Sequence, residues 1–393
     1  MMLNNKNVIL GVTGGIAAYK ALELIRLLKK EGSNVFPVMT DCAAEFVTPL
    51  SLSTLACNPV ARDMFAESPG AGISHIELAE KADIVVVAPI TANTIGKVAC
   101  GIADNLLTTI IMATQVPKVF APAMNSNMYE NRLVRANVEK LKALGYLFVE
   151  PEEGELACGW EGKGRLANVS DIVEAIKEAL SKKDLLGEKV LVTAGATREP
   201  IDPVRFVSNA SSGKMGYAIA RAAKRRGAEV ALVSGPSYLP APPGITLVKV
   251  ESAEEMREAA IKYFERSTVV IMAAAVSDFK PKKSYPKKVK KGEVLTIELE
   301  RTPDILKEMG SVKKGQLLVG FALETDNLIE NAKQKLRDKN LDMVIANPPL
   351  GLSSEVNEVT IIDSSGKMVC LPLIAKDELA EMILDKVVER LKE

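Results

Sequence analysis

A chain of 393 residues in which 50 Lys and Arg offset 50 Asp and Glu has no net field to gather polyanions, which excludes a general nucleic-acid or anionic-membrane binder. Its length exceeds what one hydrophobic core usually holds, so two domains are expected. Five cysteines, Cys42, Cys57, Cys100, Cys158 and Cys370, are widely spaced without a Cys-x-x-Cys pair, suggesting neither a disulfide framework nor a zinc site. Apolar runs stay well short of the roughly 20 residues of a membrane span, and Val8–Val12 is too short for a signal segment, so a soluble cytoplasmic protein is expected.

The chain opens with Val8-Ile9-Leu10-Gly11-Val12-Thr13-Gly14-Gly15-Ile16-Ala17-Ala18-Tyr19-Lys20, which reads as a strand, a tight turn and a helix start. Glycines there can leave helix N-terminal amides bare to face a phosphate. A helix over 21–30 is stopped by Gly32, and strands follow at 35–39, 84–89 and 118–122, alternating with helical segments near 93–115 and 127–144. That alternation means parallel βαβ units. The stretch 152–165 breaks the rhythm, with four glycines around Cys158 and Trp160, and reads as a mobile flap. A helix over 171–181 closes the first half, and a boundary is placed near 185–189.

The opening phrase returns at Lys189-Val190-Leu191-Val192-Thr193-Ala194-Gly195. Strands are predicted at 190–195, 229–234, 268–276, 316–322, 342–346 and 358–363, with helices at 213–226 and 252–265 and a terminal helix from about 375. Seven lysines fall within twelve residues between Lys280 and Lys291, a segment expected to be a loop. The fold class is α/β, with two Rossmann-like three-layer domains, 1–187 and 188–393, and mostly parallel sheet in the second.

Neither glycine turn matches the Gly-x-Gly-x-x-Gly dinucleotide fingerprint, although Asp41 after the second strand could accept from a ribose. A lone turn suits the single phosphate of FMN, and it also suits chain geometry alone; spacing leaves both open. His75, the one histidine, sits in Ser74-His75-Ile76-Glu77 with capping-box spacing. A helix's first turn favours a neutral imidazole, which can move a proton or be merely structural. Cys158 is either a small buried hydrophobe or a thiol on a glycine-rich loop that delivers a proton to a bound substrate. Ser208–Gly216 precedes a helix as a phosphate site or an ordinary N-cap would. The lysine-rich loop is either a solvated charge run or, placed beyond a strand's carboxyl end, a cradle for a triphosphate and its magnesium.

Taken together, these motifs resemble those of the bifunctional phosphopantothenoylcysteine decarboxylase / phosphopantothenate-cysteine ligase family of coenzyme A synthesis. The first half carries the resemblance through the Gly11–Lys20 phrase, Ser74-His75-Ile76-Glu77-Leu78, Ala121-Pro122-Ala123-Met124-Asn125 and Ala157-Cys158-Gly159. The second carries it through Thr197–Arg205, Ser208–Gly216, Ala273-Ala274-Ala275-Val276-Ser277-Asp278 and Gly320-Phe321-Ala322-Leu323-Glu324-Thr325. Thr302 departs from the asparagine that related ligases can carry there.

The resemblance implies a CTP-dependent ligase half that joins cysteine to 4'-phosphopantothenate through an acyl-cytidylate. Ala273, Asp278, Lys288, Pro303, Asp304, Ile305, Leu306, Phe321, Lys335 and Lys339 would hold the nucleotide, Asp278 would meet Mg2+ on the CTP phosphates, and Asn209 and Lys288 would act in catalysis. It implies equally an FMN-dependent decarboxylase half, in which the flavin takes and returns a hydride. There Gly14, Gly15, Ile16, Thr40 and Thr91 would border the flavin, His75 and Asn125 would work on the substrate carboxylate, and Cys158 would supply the final proton. By the same analogy the chain is a homo-oligomer, trimeric through the decarboxylase and dimeric through the ligase, hence a dodecamer, binding neither nucleic acid nor membrane. A flavin oxidoreductase with an appended nucleotide-binding domain, and a non-enzymatic scaffold, are the alternatives.

Overall fold

The computed structural model describes residues 2–65, 74–155, 159, 161–290, 296–351 and 354–392. The chain divides into two compact units, Met1–Ser181 and Lys182–Glu393.

In the first unit, β1 (Asn7–Val12), β2 (Asn34–Met39), β3 (Ile84–Ile90), β4 (Lys118–Pro122) and β5 (Leu147–Phe148) form a sheet in the order β2-β1-β3-β4-β5. Every pairing is parallel, with Val8 opposite both Val35 and Ile84. β3 is buried along its whole length, as a central parallel strand covered on both faces must be. Alternate residues feed the two faces. Leu10, Val86 and Val119 pack with Ile25 and Ile172 on one side, whereas Ile9, Val87 and Phe120 pack with Ile95 and Ile110 on the other.

The structure divides two of the expected helices. The segment near 93–115 is Ala92–Ala99 and Leu106–Ala113, interrupted where Gly101 takes φ +71° and where Asn105 and Thr108 form a reciprocal capping box. The segment near 127–144 is Ser126–Tyr129 and Arg132–Ala143, the second capped by Asn131. The glycine-rich stretch read as a mobile flap contains two strands, β6 (Glu152–Glu155) antiparallel to β7 (Glu161–Arg165), with Gly154 opposite Gly162.

The second unit contains β8 (Lys189–Ala194), β9 (Arg198–Pro200), β10 (Phe206–Ser208), β11 (Glu229–Ser234), β12 (Thr246–Lys249) and β13 (Val269–Met272). It continues with β14 (Phe279–Pro281), β15 (Leu299–Arg301), β16 (Leu317–Leu323), β17 (Met343–Asn347), β18 (Val356–Asp363) and β19 (Met368–Ala375). Eight of these form one sheet, β12-β11-β8-β13-β16-β17-β18-β19. It is parallel from β12 to β17, and β18 and β19 add antiparallel at the edge. Helices Lys214–Arg225 and Lys376–Leu391 cover one face through Ile219 and Ile383. Helices Ala253–Phe264, Ile305–Val312 and Leu328–Asp338 cover the other through Met256, Met309 and Leu336.

Two further expectations are corrected. The strand expected to reach 276 stops at Met272, because Ala274 N–H turns to the Thr193 hydroxyl and Ala275 N–H to the Gly195 carbonyl. The lysine-rich segment does not begin as a loop: Phe279–Pro281 pairs with Leu299–Arg301 as a two-stranded ribbon.

Each sheet reverses its strand order once, between β1 and β3 in the first unit and between β8 and β13 in the second. Such switch points open a crevice at the strands' carboxyl ends. At the second, helix Lys214–Arg225 lies so near β8 that a Cβ on Gly216 would stand 2.6 Å from Ala194 Cβ and 2.8 Å from Thr193 O. Gly216→Ala should therefore destabilise the second unit by roughly 1–3 kcal/mol, the usual cost of overpacking. Thermal denaturation followed by circular dichroism checks this, and an unchanged transition would show that the helix can back away freely.

Candidate active sites

The crevice of the first unit is built around Thr13, which is fully buried. Its hydroxyl donates to Pro89 O (2.9 Å) and accepts from Thr91 N–H (3.0 Å), tying the end of β1 to the end of β3. Gly14 passes so close to the next loop that a Cβ would lie 2.5 Å from Cys42 Cβ. Gly15 beside it faces open space, with Thr91 Cγ2 as the nearest atom. Ile16 and Tyr19 project outward, both more than half exposed. Thr40 follows β2, its N–H bonded to Val12 O (3.1 Å), and its buried hydroxyl has no hydrogen-bond partner. The expected flavin residues Gly14, Gly15, Ile16, Thr40 and Thr91 thus meet at one turn. An orphaned hydroxyl, a backbone without side chains and adjacent apolar surface suit a flavin phosphate and ring.

Asn125 caps the short helix Ser126–Tyr129, its Oδ1 accepting from Asn127 N–H (2.9 Å). Met124 N–H donates to Gly164 O (3.0 Å), which places β7 of the glycine-rich hairpin against the Asn125 loop. A polar cluster fastens the same strand. Lys163 and the buried Tyr129 each reach Glu150 at 2.8 Å, and Lys142 reaches it at 2.9 Å. Burial alone would raise the Glu150 pKa, but the hydrogen bonds from Lys163, Lys142 and Tyr129 outweigh it and bring it down to about 2. His75 lies in helix Ser74–Lys81, and its buried Nδ1 has no hydrogen-bond partner. Cys158 lies outside the described residues.

The crevice of the second unit is a cleft of about 750 Å³. It brings together Asn209, Ala273, Asp278, Pro303, Asp304, Ile305, Leu306, Phe321, Lys335 and Lys339. Asn209 sits at the switch point, its Nδ2 donating to Ala275 O and Val276 O, both at 3.1 Å. Asp304 caps helix Ile305–Val312 and receives Lys339 Nζ at 2.9 Å. Burial works to raise the Asp304 pKa, yet Lys339 and Lys307 N–H hold it below the ordinary value. Lys335 donates to Phe321 O (2.7 Å) and has no carboxylate within ion-pair distance among the described residues. Burial, with Lys339 adding to it, pushes the Lys335 ammonium down.

Lys288 is not among the residues lining this cleft; it stands exposed on the lysine-rich loop. Its neighbour Val289 is anchored through both backbone groups, N–H to Asp202 Oδ2 (3.1 Å) and carbonyl to Arg205 (2.7 Å). Among the described residues no group of three His, Cys, Asp or Glu side chains could hold a metal ion.

Comparison with known proteins matches both units. Residues 1–181 match the flavoprotein domain model, and residues 185–391 match the C-terminal domain model of the DNA/pantothenate metabolism flavoproteins. The coenzyme A biosynthesis bifunctional protein CoaBC of Bacillus subtilis (strain 168) is 46% identical over 98% of this chain and 97% of its own. That of Escherichia coli (strain K12) is 42% identical over 100% and 99%. The chain belongs to the family of coenzyme A biosynthesis bifunctional proteins. Its first unit is a flavoprotein domain. A cysteine/cysteine sulfinic acid decarboxylase from an unknown prokaryotic organism is also 46% identical, over 87% of this chain and 98% of its own.

Sequence reasoning passed over several residues that build these sites. Thr13 and Thr193 bridge the two switch points, a role their recurrence in Val-Thr-x-Gly signals. Lys376 lines the far end of the second cleft beside Lys214 of the Ser208–Gly216 segment already read as a candidate phosphate site, and each lysine opens a helix, where a cation opposes the helix dipole. That opposition is itself a sign of function.

Because the Glu150 pKa falls from 4.5 in an unconstrained chain to about 2 in the fold, its contribution is complete above about pH 4.5 and is lost as pH drops toward 2. Glu150→Gln should cost about 1 kcal/mol at pH 7, a value kept small because the carboxylate is partly solvated. It should also flatten the acid side of the stability profile. Melting temperatures between pH 2 and 7 check this, and parallel profiles for the two proteins would remove Glu150 from the acid transition.

Proposed function

We propose that residues 188–393 ligate cysteine to 4'-phosphopantothenate at the expense of CTP, and that residues 1–187 decarboxylate the product to 4'-phosphopantetheine with bound FMN. The observation that carries the reading is the cleft at the β8/β13 switch point, where Asn209, Asp278 and two buried-stem lysines converge. A carboxylate does not react with an amine until it is activated, so it would attack the α-phosphorus of CTP and release pyrophosphate. The cysteine amine would then displace CMP from the acyl-cytidylate.

Charge that develops on the phosphates is best met by cations already in place. Lys335 and Lys339 would provide them within the cleft, and Lys288 would do so from the loop anchored by Asp202 and Arg205. Mg2+ would bind mainly through the CTP phosphates, with Asp278 beside it. Ala273 and the segment Pro303–Leu306 would border the nucleotide, with Phe321 completing its pocket. Asn209 has both N–H groups committed to Ala275 O and Val276 O, which leaves Oδ1 as an acceptor. It would take an N–H of the attacking amine and aim the lone pair at the acyl carbon.

In the first unit, the product's carboxylate has no electron sink, so losing carbon dioxide directly would leave an unstabilised carbanion. FMN, when bound, supplies the hydride acceptor and donor that removes this obstacle. Thr40 would spend its orphaned hydroxyl on the flavin, with Gly14, Gly15 and Ile16 cradling it and Thr91 at its border. Asn125 would hold the substrate carboxylate, His75 would orient it or move its proton through the unpartnered Nδ1, and Cys158 would return the last proton. The chain would act in the cytoplasm as a homo-oligomer, trimeric through the first unit and dimeric through the second. Exposed Ile16, Tyr19, Leu50 and Leu133 are surfaces that such contacts could cover, and light scattering should give twelve times the chain mass. No helix among the described residues is long and apolar enough to cross a membrane.

Purified protein with 4'-phosphopantothenate, cysteine, Mg2+ and CTP should release pyrophosphate and carbon dioxide and form 4'-phosphopantetheine. Asn209→Ala should lower ligation roughly 100-fold or more while leaving decarboxylation of supplied 4'-phosphopantothenoylcysteine intact. Cys158→Ser should stall after carbon dioxide release. Gly14→Ala should purify without the flavin absorbance, since its Cβ would collide with Cys42. Yellow protein that releases neither product would return the reading to an oxidoreductase or scaffold. Carbon dioxide from free cysteine without CTP would move it to the activity named for the decarboxylase relative.

A further inference from the structure

The loop that carries Asn125 in the first unit is not held by the sheet alone. It leaves β4 at Pro122 and runs into a helix of four residues, Ser126–Tyr129. Asn125 caps that helix through Asn127 N–H (2.9 Å), and Tyr129 N–H returns to Asn125 O (3.0 Å). A single helical turn fixes several backbone angles for very few hydrogen bonds and does not hold its shape unaided. The direction of the Asn125 side chain is therefore set by whatever fastens this turn from outside.

Three observations identify the fastening. Tyr129 is fully buried, and its hydroxyl donates to Glu150 Oε2 (2.8 Å). The same oxygen accepts from Lys163 of β7 (2.8 Å), and Oε1 accepts from Lys142 of helix Arg132–Ala143 (2.9 Å). One carboxylate thus joins the Asn125 turn, β7 and the helix behind them. The Tyr129 ring is gripped as well, with Lys163 Nζ 5.6 Å and Arg135 Cζ 5.4 Å from its centre. Finally, β7 is pressed onto the Asn125 loop at two residues without side chains. A Cβ on Gly164 would collide with Met124 O, and one on Gly162 would stand 2.9 Å from Ser126 Cβ. An isolated surface ion pair contributes little. This carboxylate instead accepts three charge-assisted hydrogen bonds, one of them from a buried donor, and those bonds keep it ionised at neutral pH against its own burial.

We infer that Glu150, acting through Tyr129 and Lys163, is a positioning residue of the decarboxylation: it fixes the turn that aims Asn125 at the substrate carboxylate and locks that turn to β7. This rests on the decarboxylase reading above. Glu150 touches neither substrate nor flavin in this assignment. It acts on the reaction only by removing the freedom of Asn125, and a group that must meet a small carboxylate loses much of its effect when it strays by about 1 Å.

The test uses the full chain with flavin bound and 4'-phosphopantothenoylcysteine supplied. Glu150→Gln should lower kcat/KM for carbon dioxide release roughly 10- to 100-fold, the cost of misplacing a substrate-positioning group, with the flavin absorbance retained. Pyrophosphate release by the second unit should be unchanged. Lys163→Met, at a partly exposed position, should act in the same direction by less, because Tyr129 keeps its acceptor; it keeps the test available if Glu150→Gln impairs folding. In Asn125→Ala protein, adding Glu150→Gln should cause no further loss of kcat/KM or of substrate affinity, because both changes remove one interaction. Hydrogen exchange followed by mass spectrometry should be faster in Glu150→Gln over residues 124–131, where the Asn127 and Tyr129 amides are bonded to Asn125, and unchanged over β1 and β3. Full additivity of the two substitutions would overturn the assignment and leave Glu150 a stabilising group alone. Unchanged exchange over 124–131 in Glu150→Gln would overturn it equally. Unaltered enzyme that holds flavin and releases no carbon dioxide defeats the decarboxylase reading itself, and this assignment with it.

Discussion

Both units depend on one hydrogen-bonded bridge, a buried threonine hydroxyl that closes the gap where the strand order reverses. Two parallel strands that lead away in opposite directions share no helix above their carboxyl ends, so their last backbone groups lack the partners that the rest of the sheet enjoys. Thr13 meets this need by accepting from Thr91 N–H and donating to Pro89 O. Thr193 does so by accepting from Ala274 N–H (3.2 Å). A net hydrogen bond contributes only about 1 kcal/mol, but an unpaired N–H at this depth would cost about 1–3. The bridges keep each crevice open at its base without leaving it unsatisfied.

From that shared base the two crevices diverge through what stands beside the threonine. In the first unit the following residue is Gly14, pressed against Cys42, and the surroundings are apolar and outward-facing, with Ile16 and Tyr19 exposed. Such a wall suits a flat, weakly charged ring attached to one phosphate. In the second unit the equivalent position is Ala194, and it is the helix that gives way, Gly216 letting it settle onto the strand end. That settling brings two helix starts and several lysines to one edge. The same strand-turn-helix phrase thus borders an apolar, side-chain-poor crevice in one case and a lysine-lined cleft in the other.

The parallel strands were legible because burial on both faces leaves continuous aliphatic runs, as in Ile84–Ile90 and Val190–Val192. Elements whose limits depend on partners distant in sequence were not. Ala273–Val276 is apolar and small, and reads as strand until Thr193 takes Ala274 N–H out of the ladder. The helix near 93–115 reads as one because Leu106–Ala113 is apolar nearly all round, and only the paired cap at Asn105 and Thr108 reveals the restart. β19 pairs antiparallel at the sheet edge with mixed burial, so it has neither the continuous apolar run of a central strand nor a clean alternation. Of the site, the glycine turn and the nucleotide-side motifs were visible as phrases. Lys376 belongs to no phrase, and its meaning comes from burial and from the helix it begins.

Charge placement connects these features. In a chain of zero net charge, the buried cations that serve the fold are paired. Arg225 meets Glu381, and Arg226 meets Asp184, Glu381 and Asp385. The half-buried Lys335 and the buried Lys376 differ, with carbonyl partners but no carboxylate within ion-pair distance among the described residues. Burial holds both below the ordinary lysine pKa, so at neutral pH their charged forms subtract from the stability of the second unit. A cation retained at that cost is unprofitable to an empty fold and useful to one that binds anions, because a bound anion would supply the missing partner. Any anion bound by these two ammonium groups would therefore also stabilise this unit. Such a cleft is least stable when empty and would gain most from ligands of opposite charge.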